Sequence, residues 1–352
     1  MPSNQTSPSS DARASARIAV IIPSYKVTRH ILGVIAAIGP HADAIYVVDD
    51  SCPDGSGRYV QQHCTDPRVR VLFNPVNLGV GGAVMAGYAQ AIADGMDVLV
   101  KIDGDGQMDP ALMDDFTLPI LHGEADYTKG NRFFDLEDVR AMPRVRIFGN
   151  AVLSFMSKIS TGYWQIFDPT NGYTALHAAV ASRLPFDKIS RRYFFETDML
   201  FRLNTVGAVV LDVPMQARYA DEVSGLRIRK IVGEFLVKHL RNGVKRVFYS
   251  HYLRNMSIAS LALPLGLVML GAACVYGGYH WVHSAQAGVA TPAGTVVLSA
   301  ALLMGGLQFL LAFFAVDMAS VPVRPLHLTA SVRRQRGVLQ QQQDPQAGRA
   351  QP

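Results

Sequence analysis

Asp103-Gly104-Asp105 is the stretch of this chain whose residue types most directly suggest chemistry. It closes the apolar run VLVKI and is followed by Asp109 in QMDP. Two carboxylates one glycine apart are hard oxygen donors. They suit Mg2+ or Mn2+, ions that take one or two protein carboxylates and complete their shell with substrate phosphates and water. The same letters also make ordinary turns, because Asp accepts local backbone hydrogen bonds and Gly tolerates positive φ. Two more clusters, Pro23-Ser24-Tyr25 and Asp49-Asp50-Ser51, follow apolar runs in the same way.

The elements that must position these groups read as an alternation. Apolar runs at 18–23, 44–50, 68–73 and 97–103 predict buried strands, and helices are expected at 28–39, 55–64 and 81–95. A helix from Pro110, a strand near ADYTKG, a helix over 144–161 and a strand over 208–215 continue the pattern. Short apolar strands alternating with helices predict a doubly wound α/β domain with a mostly parallel sheet. Ligands of such sheets sit at the carboxyl ends of the strands, where all three clusters fall.

Composition divides the chain further. Hydrophobic residues make up 49% and charged residues 17%, and the apolar excess is concentrated near the C-terminus. Met256 to Tyr279 and Ala293 to Val316 carry no formal charge, and each run exceeds the roughly 20 residues that cross a bilayer core. Between Leu226 and Arg254 there are eight Lys or Arg and one acid, mixed with apolar positions. That mixture predicts amphipathic helices at the headgroup level. The link from Trp281 to Pro292 has no Lys or Arg, whereas Arg324, Arg333, Arg334 and Arg336 follow the second run. The positive-inside rule then puts both ends of the hairpin, and the large N-terminal portion, on the cytoplasmic side of the inner membrane.

The expected division is a disordered N-terminus over 1–16, an α/β domain over 17–224, juxtamembrane helices over 225–255, a transmembrane hairpin over 256–318 and a basic, Gln-rich tail over 319–352. Residues 1–16 lack the apolar core of a signal peptide. Cys52, Cys64 and Cys274 have no metal-ligand spacing. The net charge of +5 speaks for anionic headgroups, and no nucleic-acid motif is present.

VIIPSYK, VVDDSCPDGSG, NLGVGGAVMAGYAQA, KIDGDGQMDP, KGNRF and FDPTNGYTAL occur in that order. Together they resemble the family 2 glycosyltransferases, in the polyprenyl-phosphate branch that includes dolichyl-phosphate mannose and glucose synthases. The resemblance implies a GT-A fold, a nucleotide-sugar donor, Mg2+ or Mn2+, inversion at the anomeric carbon and a polyprenyl-phosphate acceptor. It implies that Pro23, Tyr25, Asp49 and Asp50 bind the nucleoside and that Asp103 and Asp105 hold the metal against the donor diphosphate, with Gln107 beside them. It implies a phosphate-facing Arg132, and acceptor-side carboxylates at Asp168 and in the pair Glu196 and Asp198. Two residues apart on a helix these last face different directions, and Asp198 is the one expected to line the site. Two other readings stay open: transfer to a hydroxyl of a lipid-linked glycan, and a non-catalytic membrane anchor. A homo-oligomer is expected from the Gly-rich spans.

Overall fold

The computed structural model describes residues 16–134, 144–216 and 228–329. The expectations for the N-terminal 15 residues, for Arg227 and for the tail beyond 329 lie outside these. The chain divides into two compact units at 242/243 and 321/322.

The first unit is built on seven strands: β1 (Ile18–Ser24), β2 (Ala44–Asp49), β3 (Val69–Phe73), β4 (Val98–Lys101), β5 (Tyr127–Asn131), β6 (Thr174–His177) and β7 (Val210–Pro214). Their order is β3-β2-β1-β4-β6-β5-β7. The strands β3, β2, β1 and β4 are parallel, in a register that sets Ile21 beside Tyr46 and Val20 beside Val100. Ala19, Val20, Ile21 and Ile22 of β1 are fully buried, which is why this strand reads as continuous rather than alternating apolar sequence. Chain order reverses about β1, so the carboxyl ends of β1 and β4 flank a crevice.

Helices cover both faces: α1 (Ile31–Ala37), α2 (Ser56–His63), α3 (Val80–Ala93), α4 (Met113–Leu121), α5 (Arg144–Thr161), the short α6 (Ala178–Ala181) and α7 (Phe195–Val206). Strand β6 was not expected. It runs antiparallel to both β4 and β5, and its four residues, TALH, are too few to show a period. Tyr173, just ahead of it, stacks on Phe116 of α4 with centroids 3.9 Å apart. That contact fixes where the preceding FDPTNG segment passes.

A single long helix, α8 (Ile228–Phe248), occupies most of the juxtamembrane region. Its described inner face is polar and buried: His239 Nδ1 is 2.8 Å from Ser160 Oγ, and Asn242 Nδ2 donates to Asp198 Oδ1 at 2.9 Å. Its outer face is apolar, with Leu236, Leu240, Val244 and Phe248 exposed at four-residue intervals. A helix with exposed apolar residues along one stripe suits the headgroup boundary.

The second unit holds the end of α8, a π-helical turn (Tyr249–Arg254), α9 (Ile258–Gln286) and α10 (Ala293–Ala319). Of the most apolar window only 28% of α9 and 11% of α10 is buried. Soluble core helices would be covered; these are long and apolar enough to cross a membrane. At the end of α10 the buried Asp317 accepts from Arg246 at 2.6 and 3.1 Å and lies 2.9 Å from His251 Nε2. His251 thus completes a buried polar cluster with this ion pair.

Candidate active site

Beyond the ends of β1, β2 and β4 the chain forms a cleft of about 570 Å3, lined among others by Pro23, Tyr25, Asp50, Asp103, Asp105 and Arg192. The turns leaving β1 and β2 each carry a non-glycine residue at positive φ, Lys26 at 60° and Ser51 at 55°. Such backbone is held by its surroundings and concentrates at ligand sites.

The two neighbouring aspartates after β2 divide their work. Asp49 accepts from the backbone N–H of Cys52 at 2.8 Å and of Gly57 at 2.6 Å. It tethers the first turns of α2 and is not among the residues that line the cleft. Asp50 faces the cleft and braces its opposite wall: Asn74 Nδ2 and Leu78 N donate to Oδ1 at 2.8 and 2.9 Å, and Gly79 N donates to Oδ2 at 2.7 Å. Gly79 has φ 84°, and a Cβ there would lie 2.6 Å from the Arg191 carbonyl oxygen. Glycine is therefore required for the loop to pass beneath Arg191.

Asp103 and Asp105 share the cleft. Asp105 Oδ1 accepts the backbone N–H of Gln107 at 3.0 Å, so Gln107 supports the turn through its main chain. Asp109 caps the following 3-10 turn by accepting from Ala111 N at 3.1 Å. Asp103 Oδ1 lies 2.9 Å from the ammonium of Lys101, which is itself 3.4 Å from Glu196 Oε1. Lys101 is 1% exposed. Burial pulls its pKa down, but Asp103 and Glu196 outweigh that and raise it, so it is a fixed cation. Burial pushes the Glu196 carboxyl up, against the pull of Lys101. A Cβ on Gly172 would lie 2.4 Å from Lys101 Nζ and 2.6 Å from Asp103 Oδ2, so FDPTNG closes over this trio only with glycine at that place.

The residues expected on the acceptor side have different surroundings. Of the pair on α7, Glu196 reaches Lys101, whereas Asp198 turns away, accepting from Ser190 N at 2.7 Å and from Asn242. Asp198 joins α8 to the loop before α7; its side chain is not at the cleft. Asp168 grips Arg132 through Nε at 2.8 Å and Nη2 at 3.0 Å. Burial alone would raise the Asp168 pKa, and the Arg132 hydrogen bonds and the Lys129 charge bring it below the usual range. Neither residue lines the cleft described above, and their interlock makes Asp168 an orienting group for Arg132. Sequence reasoning missed Lys101, Arg192 and Tyr193. Tyr193 is 59% exposed and lines the cleft, whereas its neighbours Phe194 and Phe195 are buried.

Among the described residues no three His, Cys, Asp or Glu come together as a metal cage. Two carboxylates opening on a crevice fit an ion completed by a diphosphate and water, the habit of Mg2+ and Mn2+, and do not fit a preformed all-protein site.

A doubly wound sheet with an Asp-Gly-Asp turn over the crevice at its switch point defines the GT-A class of glycosyltransferase folds. Residues 19–184 match the family model Glycosyl transferase family 2. The Micrococcus luteus undecaprenyl-phosphate mannosyltransferase is 30% identical over 233 residues, 65% of this chain and 94% of that protein. The Mycolicibacterium smegmatis polyprenol monophosphomannose synthase is 29% identical, covering 62% of this chain and 85% of its own. A Mycobacterium tuberculosis glucosyl-3-phosphoglycerate synthase, solved with Mn2+, UDP and phosphoglyceric acid, has a TM-score of 0.51 at 19% identity, covering 67% of this chain and 80% of that one; it bears on the fold alone. The chain belongs to glycosyl transferase family 2, in its polyprenyl-phosphate branch.

Proposed function

We propose that this protein is a membrane-attached, metal-dependent, inverting glycosyltransferase that moves one sugar from a UDP- or GDP-activated donor to polyprenyl phosphate at the cytoplasmic face of the inner membrane. The observation that carries the reading is the convergence of Asp103, Asp105, Asp50, Pro23 and Tyr25 on one cleft. The relatives named for undecaprenyl-phosphate and polyprenol phosphate transfer point to the same acceptor class. Donor choice stays at UDP or GDP, since a further relative, from Methanococcus voltae, is named for UDP-N-acetylglucosamine.

In this reading Tyr25, 44% exposed at the cleft mouth, offers its ring to the base, and Asp50 holds the loop against which the nucleoside rests. Asp103 and Asp105 would hold Mg2+ or Mn2+, which supplies Lewis-acid stabilisation of the leaving diphosphate. Lys101 fixes the direction of Asp103, and Glu196 balances the Lys101 charge so that the Asp103 carboxylate keeps its own. Arg192 adds positive charge at the cleft wall. Arg132, oriented by Asp168, serves the acceptor side. A phosphate acceptor has a second pKa of about 6 and is already a nucleophile at neutral pH, so the displacement of Asp198 from the cleft removes no required base.

Topology is supported by the chain beyond α10. Leu326 N and His327 N donate to Asp126 of the first unit at 2.7 and 2.9 Å. The chain thus leaves that unit before α9 and rejoins it after α10, as an even number of crossings demands. The test is transfer by purified protein from labelled donors to undecaprenyl phosphate, with a lipid-linked sugar as the competing acceptor. A product on the plain phosphate, cleaved by mild acid, is expected; product only on the lipid-linked sugar refutes the acceptor assignment, and no nucleotide binding favours an anchor.

A further inference from the structure

Lys129 of β5 is, like Lys101 two strands away, a fully buried lysine in the sheet. Successive strand residues face opposite sides. Thr128 donates to the Phe116 carbonyl of α4 at 2.7 Å, so Lys129 points to the other face. The charged groups that bear on it there are Asp168, Asp212 of β7, Arg132 and Glu196 of α7. Burial lowers its pKa to about 8, against the pull of Asp168 and Asp212, so at neutral pH it is an ammonium.

Its hydrogen bonds go to main chain. Nζ donates to the carbonyl of Asp168 and, at 3.1 Å, to that of Asn171. Both belong to FDPTNG. Gly130, the next residue of β5, donates its N–H to the Tyr173 carbonyl at 2.9 Å, and Tyr173 N donates to Asn171 Oδ1 at 2.9 Å. The segment is thus fastened to β5 along 168–173, and Lys129 supplies the charged fastening. A methionine would fill the same space and leave two buried carbonyls without this donor.

Two charged arrangements depend on where FDPTNG lies. At its far end Gly172 packs so closely on Lys101 and Asp103 that a Cβ would lie 2.4 and 2.6 Å from them. At its near end the Asp168 carboxylate holds Arg132. The nucleoside side of the cleft is built separately: Tyr25 follows β1, and Asp50 is braced by Asn74, Leu78 and Gly79. We infer that Lys129 is a positioning residue, its ammonium pinning FDPTNG to β5 so that the segment sets the Lys101–Asp103 contact at one end and the Asp168–Arg132 pair at the other. This rests on the glycosyltransferase reading above. Lys129 acts through the segment and does not touch the reacting groups.

The experiment uses the full-length protein in detergent, with Lys129→Met as the neutral variant and Lys129→Arg as the one that keeps charge and donors. Hydrogen exchange read by mass spectrometry is expected to quicken over 168–173 in Lys129→Met, with β1 to β4 as protected as in the parent. UDP and GDP affinities, measured by calorimetry in EDTA, should stay within about twofold of the parent protein. The further affinity conferred by Mn2+, and kcat for transfer to polyprenyl phosphate, should each fall by about tenfold or more. Lys129→Arg is expected to recover both in large part. A merely structural residue would weaken nucleotide binding equally with and without Mn2+, or not at all. Unchanged exchange over 168–173, or an equal loss of affinity with and without Mn2+, overturns the assignment. Protein that shows this exchange and manganese pattern, yet in its parent form transfers no sugar to polyprenyl phosphate, supports the pin and sinks the function proposed above.

Discussion

Lys101→Met tests the buried charge trio beneath the cleft. The ammonium is 2.9 Å from Asp103 and 3.4 Å from Glu196. At an effective dielectric near 20 each contact is worth about 5 kcal/mol of gross attraction. The desolvation of a buried cation offsets much of that, and removing one partner of such a group costs about 3–5 kcal/mol net. For a domain of this size that is a fall in melting temperature of about 10 °C. The pH dependence has a definite sign. Burial already raises the Glu196 pKa and Lys101 is the chief group lowering it, so the methionine variant raises it further. A carboxyl with a raised folded pKa contributes fully below its unfolded pKa and loses that contribution as pH rises through the folded value. The deficit relative to the parent protein should therefore be smaller at pH 5 than at pH 8. Differential scanning fluorimetry of the full chain in detergent and EDTA reads both numbers. A melting temperature at pH 8 equal to the parent's, or a deficit that ignores pH, would refute the claim that Lys101 is held between Asp103 and Glu196.

Three further outcomes follow from the same geometry. Asp105→Ala should abolish turnover with little change in melting temperature, because Asp105 accepts a local hydrogen bond from Gln107 N–H within the turn; loss of folding would make it a structural residue. Asp198→Asn should cost about 1.5–3 kcal/mol of stability, through the charged acceptor lost to Ser190 and Asn242, and leave UDP and GDP affinity intact, whereas Glu196→Gln should weaken manganese-dependent nucleotide binding; calorimetry on both variants separates the roles, and the reverse pattern contradicts them. Burial lowers the pKa of both His177 and His239 to about 4. The unfolded chain then takes up protons first as pH falls, and each histidine withdraws about 2 kcal/mol by pH 5. His239→Gln should flatten the acid limb of the melting curve, and an unaltered slope would exclude His239 as its source.

What could be read from the sequence, and what could not, divides along a physical line. The run IAVIIP and its counterparts announce strands of a parallel sheet because they are predominantly apolar, and a strand end is then a position, whatever follows it. The placement of Asp50, Asp103 and Asp105 at one crevice was accordingly legible. The direction of a carboxylate is not, since neighbouring aspartates look alike as letters. Asp49 and Asp50 are adjacent, yet one is consumed by the N–H groups of Cys52 and Gly57 and the other braces the cleft wall. Glu196 and Asp198 part company on their helix, and their directions are set by Lys101 reaching across from β4 and Asn242 from α8. Partners separated by 95 and 44 residues leave no local trace. A signal did exist in Lys101. A lysine inside an otherwise apolar strand must find counter-charges or unfold the strand, and the acids able to meet it are those at strand and helix ends facing the same crevice. A buried cation in a core strand therefore points from sequence to the carboxylates that the site cannot leave unbalanced.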